Sequence, residues 1–163
     1  MMPNSWKINI LLLGLFAATM AQGQVPNNRA GAFLDYGASA RGIALGNAFA
    51  AIANDASAAY WNPAGLGQLN QLQLMLSHIR LPFDRTFNFF STALPFKSRQ
   101  TFGISWLGLQ VRGLEARHDN QLEPDFIFSD SENAFFFSYA YRVSSSFFLG
   151  TSIKLLYTRL AQK

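Results

Sequence analysis

The chain has 163 residues, no cysteine and a formal net charge of +4, and only 13% of its residues are charged. That charged fraction is about half the roughly 25% of an ordinary soluble domain, and the lack of cysteine excludes disulfides and thiolate metal sites. Half of the residues are hydrophobic and 16 are Phe, which demands a large apolar surrounding, while the scattered Lys and Arg form no run that would track phosphates and so argue against nucleic acid.

Residues 1–23 read as a signal peptide. Lys7 marks a short basic start, residues 8–20 are apolar, and the small residues Ala21 and Gly23 follow. Cleavage after Gly23 places Ala21 and Gly23 at the two small-residue positions of the processing site; cleavage after Ala21 is the alternative. The apolar stretch of about 13 residues is too short for the ~20 that a membrane-spanning helix needs. No later segment supplies such a helix, so residence in a membrane would require strands.

Residues 24–69 form a separate Gly- and Ala-rich segment with neither a helical nor a strand period. Gly37, Gly42 and Gly46 interrupt any long helix and allow close approach or positive φ. Asp55 is placed to cap a short turn over residues 56–60. Asn62-Pro63 starts a turn, with Gly65 available for a left-handed conformation.

From residue 70 to 163 the pattern changes to period two, as in strands with two unlike faces. Leu72, Leu74 and Leu76 share one face. Phe135, Phe137, Tyr139 and Tyr141 stand opposite Ala134, Ser138, Ala140 and Arg142, with Phe136 as the exception. Phe147, Leu149, Ile153, Leu155 and Tyr157 stand opposite Gly150, Ser152, Lys154 and Thr158. Residues 86–94 are strand-like with ambiguous facing. In 101–112 the apolar parity moves from Phe102, Ile104 and Trp106 to Leu107, Leu109 and Val111, which predicts a β-bulge at Gly108. The connections at 94–99 and 142–146 read as short, those at 78–85 and 113–131 as longer and polar. Five strands in this arrangement fit the start of a transmembrane antiparallel β-barrel, incomplete here; a secreted soluble β-domain that binds a partner is the alternative, since its strands alternate too.

The stretch from Gly31 to Leu69 carries an ordered set of features: Gly31-Ala32-Phe33-Leu34, Gly37, Ala40-Arg41, Gly46-Asn47-Ala48-Phe49, Asn54-Asp55-Ala56-Ser57-Ala58 and Tyr60-Trp61-Asn62-Pro63-Ala64-Gly65-Leu66. It resembles the N-terminal signature of the PorV/PorQ family of outer-membrane proteins, itself similar to FadL-type barrels; Leu45 stands where members commonly have Met. The resemblance implies an N-terminal hatch packed at the periplasmic side of a β-barrel of roughly fourteen strands, with Gly46, Asn47, Asn54, Asp55, Trp61, Asn62, Pro63 and Gly65 fixing the hatch. It further implies a role in type IX protein secretion or surface delivery of cargo, with secretion components or exported proteins as partners beside the lipid. The FadL-like alternative is a channel for hydrophobic small molecules.

Nothing in the sequence carries bond chemistry. His78 and His118 lie in no metal-ligand spacing, no Gly-x-Ser-x-Gly elbow occurs, and the carboxylates gather in 115–132, a polar connection. The expectation is therefore an exported outer-membrane protein with no catalytic residue, no cofactor and no metal. Five strands cannot close a wall in lipid, so the chain is expected to be part of a longer protein; several copies closing one barrel is the alternative.

Overall fold

A computed structural model describes residues 31–117 and 123–162, with side chains as far as Arg159; the signal peptide at 1–23 lies outside the described residues. Five antiparallel strands, β1 (Gln73–Leu81), β2 (Arg85–Phe96), β3 (Gln100–Ala116), β4 (Phe126–Arg142) and β5 (Phe148–Gln162), form one open sheet in chain order. Before them, a 3₁₀ turn (Ala32–Tyr36), two short helices (Ala40–Ala44 and Ala58–Trp61) and a second 3₁₀ turn (Pro63–Gln68) make up a segment that lies against one face of the sheet. The chain is therefore all-β in class, with a short helical cover.

The register shows why the strands alternate. On the covered face, Ala93, Gly103 and Ser138 stand in one row and Ser91, Ser105 and Phe136 in the next. All the side chains of these rows are buried, and most are small. On the opposite face the rows run Leu76, Phe90, Trp106, Phe135 and Leu155, then Leu74, Thr92, Ile104, Phe137 and Ile153. Here every large side chain but the half-buried Trp106 is exposed, Leu76 by 79% and Ile153 by 65%. A water-soluble sheet buries its large residues and exposes its small polar ones; this sheet does the reverse over much of its length.

The bulge expected at Gly108 is absent. Pairing runs unbroken past Gly108, which partners Asn88 on β2 and Asn133 on β4, and the register shifts between Val111 and Leu114 instead. Parity is constant through 101–111; what changes is the content of both faces at one level. The covered face passes from Thr101, Gly103 and Ser105 to Leu107 and Leu109, which pack in a buried cluster with Phe33, Ala38, Phe87 and Phe89. The uncovered face passes from Trp106 to Gly108 and Gln110. The apolar run thus changes sides because the surroundings do.

Two connections are also shorter than their polarity suggests. β1 continues to Leu81 and leaves only 82–84, and β3 and β4 extend until 117–125 is all that separates them. Polar residues such as Arg80, Glu115 and Ser131 remain in the ladder, because backbone pairing does not require an apolar side chain.

The cover sits very close to the sheet. A Cβ on Gly150 would lie 2.1 Å from the Ala64 nitrogen and 2.4 Å from the Pro63 carbonyl carbon, so only glycine admits the main chain of the second 3₁₀ turn. Gly150→Ala is expected to destabilise the protein by about 1–3 kcal/mol through this overpacking. At Gly46, where a Cβ would meet nothing within 4 Å but φ is +62°, alanine should cost about 1–2 kcal/mol from backbone strain alone. Urea unfolding of the two variants, with hydrogen exchange at residues 64–66, checks this: only Gly150→Ala should loosen the contact with β5.

Candidate functional site

The candidate site is the cover and its seat. Its backbone is organised by side chains that reach across its turns. Asp55 accepts from the Ser57 N–H (2.9 Å) and the Ser57 hydroxyl (2.5 Å), which starts the helix Ala58–Trp61. The Arg41 guanidinium donates to Asn54 Oδ1 at 2.7 Å, lies 3.4 Å from Asp55 Oδ2 and stacks 4.9 Å above the Phe49 ring. These contacts tie the turn at 40–49 to the turn at 53–57. Trp61 Nε1 donates to the Ala38 carbonyl at 3.0 Å, and its ring leaves no room for a Cβ on Gly42, which would approach within 2.7 Å. Asn62 donates through Nδ2 to Ala50 O (3.1 Å) and accepts at Oδ1 from the Ala64 N–H (3.2 Å), setting Pro63 at the start of the second 3₁₀ turn.

Of the residues singled out in the sequence, Asn47, Asn54, Asp55, Trp61, Asn62 and Pro63 therefore all lie inside the cover. Asn47 has φ +66° and donates to Asp35 O at 3.2 Å. Gly46 stands open beside it. Gly65 differs from expectation: it is not left-handed but buried in the 3₁₀ turn, where a Cβ would come within 2.1 Å of the Ala53 carbonyl oxygen. Its role is close packing rather than turn reversal. Gly108 stands apart in the sheet, where the Trp106 ring would meet a Cβ at 2.6 Å.

The seat was not picked out by motif. Ser91 donates to Ala56 O at 2.6 Å and bonds Ser105 at 2.7 Å. Ser138 donates to Ala59 O at 3.3 Å and bonds Ser152 at 2.9 Å. Gln73 accepts from the Ala56 N–H at 3.0 Å. At the other end, Arg142 donates twice to Gly67 O (2.9 and 2.8 Å) and once to Asn70 Oδ1 (3.0 Å). The signal for these residues was present as small, hydroxyl-bearing positions alternating with Phe and Tyr, but nothing local says which main-chain groups they meet.

Tyr60 links the parts. Its ring meets Trp61, Phe136 and Phe89 edge-on, with centroids 4.8, 5.5 and 6.4 Å away, and its hydroxyl donates to the Leu34 carbonyl. Burial, reinforced by the Asp35 charge, pushes its pKa up to about 12. An open cavity of about 480 Å³ lies between the first 3₁₀ turn and the sheet, lined by Phe33, Tyr36, Leu109 and Val111 with Asp35, Arg85 and Glu132 as its charged members. Arg85 donates to the Tyr36 hydroxyl at 2.8 Å. His78 Nδ1 lies 2.6 Å from Asn88 Oδ1 on the uncovered face, and His118 is outside the described residues. Among the described residues no group of three or more His, Asp or Glu gathers as a metal site would require.

Comparison with family models, with curated proteins and with solved structures finds no match to this chain.

Because folding raises the Tyr60 pKa above its unfolded value near 10, the stability it contributes is complete below pH 10 and is lost as pH rises toward 12. Tyr60→Phe should flatten that alkaline loss, read as unfolding midpoint against pH. Asn62→Ala should cost about 1 kcal/mol, because the half-buried Ala64 N–H and the exposed Ala50 carbonyl lose their partner; protection of the Ala64 amide in hydrogen exchange should fall with it.

Proposed function

We propose that residues 31–163 are wall and inner hatch of an outer-membrane β-barrel that takes part in protein secretion or surface delivery of cargo, in the manner of the PorV/PorQ proteins that residues 31–69 resemble. The observation that carries the barrel is the uncovered face. Large apolar side chains occupy it across all five strands, and nothing in the described residues packs over them. So broad an apolar surface has one natural solvent, hydrocarbon.

Dimensions support this reading. Along β4 the apolar and aromatic stretch from Asn133 to Tyr141 covers roughly 27 Å at ~3.4 Å per residue. A strand tilted by ~40° would carry it through roughly 20 Å of membrane, near the ~25 Å band of such barrels. Tyr139 and Tyr141 at one end, Trp106 and Tyr157 at the other, occupy the places where interfacial aromatics belong. In hydrocarbon the unpaired outer edges of β1 and β5 each need a further strand, so in this reading additional strands complete the wall. The small covered face is then the inside, with the cover as its hatch.

The secretion role rests on the resemblance; the barrel rests on the geometry. The cavity under the first 3₁₀ turn, where Phe33, Leu109 and Val111 supply apolar lining beside the charged Asp35, Arg85 and Glu132, favours as a second reading a FadL-like passage for hydrophobic small molecules. Deletion separates the two: exported proteins held in the periplasm support secretion, whereas normal surface proteins with failed uptake of a hydrophobic compound support transport.

A substitution tests the membrane reading against a soluble β-domain. Ile153→Arg on the uncovered face should cost about 2–4 kcal/mol in a barrel wall, and at most about 0.5 kcal/mol on a water-exposed sheet. The measurement is recovery of the protein in the outer-membrane fraction with heat-modifiable gel mobility. A variant that stays soluble and folded sinks the barrel.

A further inference from the structure

Above the apolar rows the uncovered face changes in two steps. The first row beyond Leu76, Phe90, Trp106, Phe135 and Leu155 is His78, Asn88, Gly108, Asn133 and Tyr157. It holds no Asp, Glu, Lys or Arg and is rich in hydrogen-bonding groups: His78 bonds Asn88, and Trp106 Nε1 donates to Asn133 Oδ1 at 3.0 Å. The next row is Arg80, Thr86, Gln110, Ser131 and Arg159. Arg112 follows on β3, and an open cleft of about 530 Å³ lies among Arg80, Arg85 and Arg112, with Thr86, Gly113 and one carboxylate, Asp84.

The three guanidiniums are not equally engaged. Arg85 donates to Pro82 O (2.9 Å) and to Tyr36. Arg112 uses one nitrogen on Gln110 Oε1 at 2.8 Å. Arg80 has no side-chain hydrogen bond or ion pair among the described residues. Arg85 shares the covered-face parity of Leu81 and Val111 and is engaged by Pro82 and Tyr36, so among the described residues Arg80 and Arg112 supply the open donors, and with Asp84 the cleft stays net positive.

Along the strands the order is hydrocarbon, hydrogen-bonding, cationic, with each step about 7 Å. An acylated membrane lipid has the same order: chains, ester or amide linkage, phosphate. The geometry points to a binding site for a phosphate-bearing membrane lipid on the outer wall over β1–β3, an inference that rests on the membrane reading above. The acyl chains lie on Leu74, Leu76, Phe90 and Trp106, the linkage meets His78 and Asn88, and the phosphate takes the Arg80 and Arg112 forks, whose planar donor pairs suit it. A free phosphate would use only the open, water-screened part of this surface.

The test uses the protein in non-ionic detergent, with mixed micelles containing lipid A or its dephosphorylated form, and counts retained lipid by native mass spectrometry. The wild-type protein should retain lipid A at least about tenfold better than the dephosphorylated form. Arg80→Gln with Arg112→Gln should lower lipid A retention about 25-fold, at roughly fivefold per arginine, while the double Lys variant retains a substantial part. Heat-modifiable mobility of each variant verifies folding. A folded Gln variant that retains lipid A as the wild type does overturns the site alone. Displacement of lipid A by millimolar inorganic phosphate would reassign the cleft to a free anion. Unchanged lipid retention with lost surface delivery would reassign it to a protein partner. Either result overturns the proposal, and a protein recovered folded in the soluble fraction overturns it together with the membrane reading.

Discussion

The serine hydroxyls of the sheet reach main-chain carbonyls of the cover directly: Ser91 to Ala56 and Ser138 to Ala59. That contact is available only where the two backbones come together with almost no side chain between them. It sets the composition of the seat, which is Ala, Ser, Thr or Gly at Ala93, Thr101, Gly103, Ser105, Ala140 and Gly150. It also satisfies the Ala59 carbonyl, for which Pro63 four residues on has no N–H to offer, and adds a second donor to the Ala56 carbonyl, which accepts from the Ala59 N–H at 3.4 Å; a buried carbonyl left alone would cost about 1–3 kcal/mol. The cover can be irregular because the sheet completes its hydrogen bonding.

The same closeness explains where the large residues go. With one face occupied by backbone, volume must be placed elsewhere, and it goes to the opposite face. Phe136 shows the exception and its reason. It shares parity with Ser138 and Ala134, but stands where the cover presents the Tyr60 ring rather than bare backbone. Higher on the sheet, Phe87, Phe89, Leu107 and Leu109 are admitted for the same reason, packing with Phe33 and Ala38. The covered face is therefore graded from small to large, and the uncovered face from apolar to polar to cationic along the same strands. In the proposed barrel these gradients serve the hatch on one side and the lipid on the other.

Pairing extends beyond both gradients. Strand ends at Leu81, Ala116 and Phe126 lie well past the last alternating apolar residue, since the ladder depends on backbone groups that every residue here except proline can supply. Side-chain pattern reports what each face meets, and it becomes silent where both faces meet water. The long polar connections expected from sequence were in part paired strand.

The sequence by itself determined the alternation, and with it the two unlike faces, because a strand's side chains must point to opposite sides whatever surrounds them. It also determined the division at residue 70, where the Gly- and Ala-rich segment without a period gives way to period two. Asp55, Trp61 and Asn62 stood out there because short polar and large aromatic residues among Ala and Gly have few places to go. Tertiary structure decided which face is covered, since periodicity carries no sign, and only the contacts of Ser91, Ser138 and Gly150 supply it. It decided that Gly65 serves close packing rather than a left-handed turn, and that Gly108 continues a strand instead of bulging. A glycine's spacing says that a side chain is missing; only the neighbour that would have met it says why.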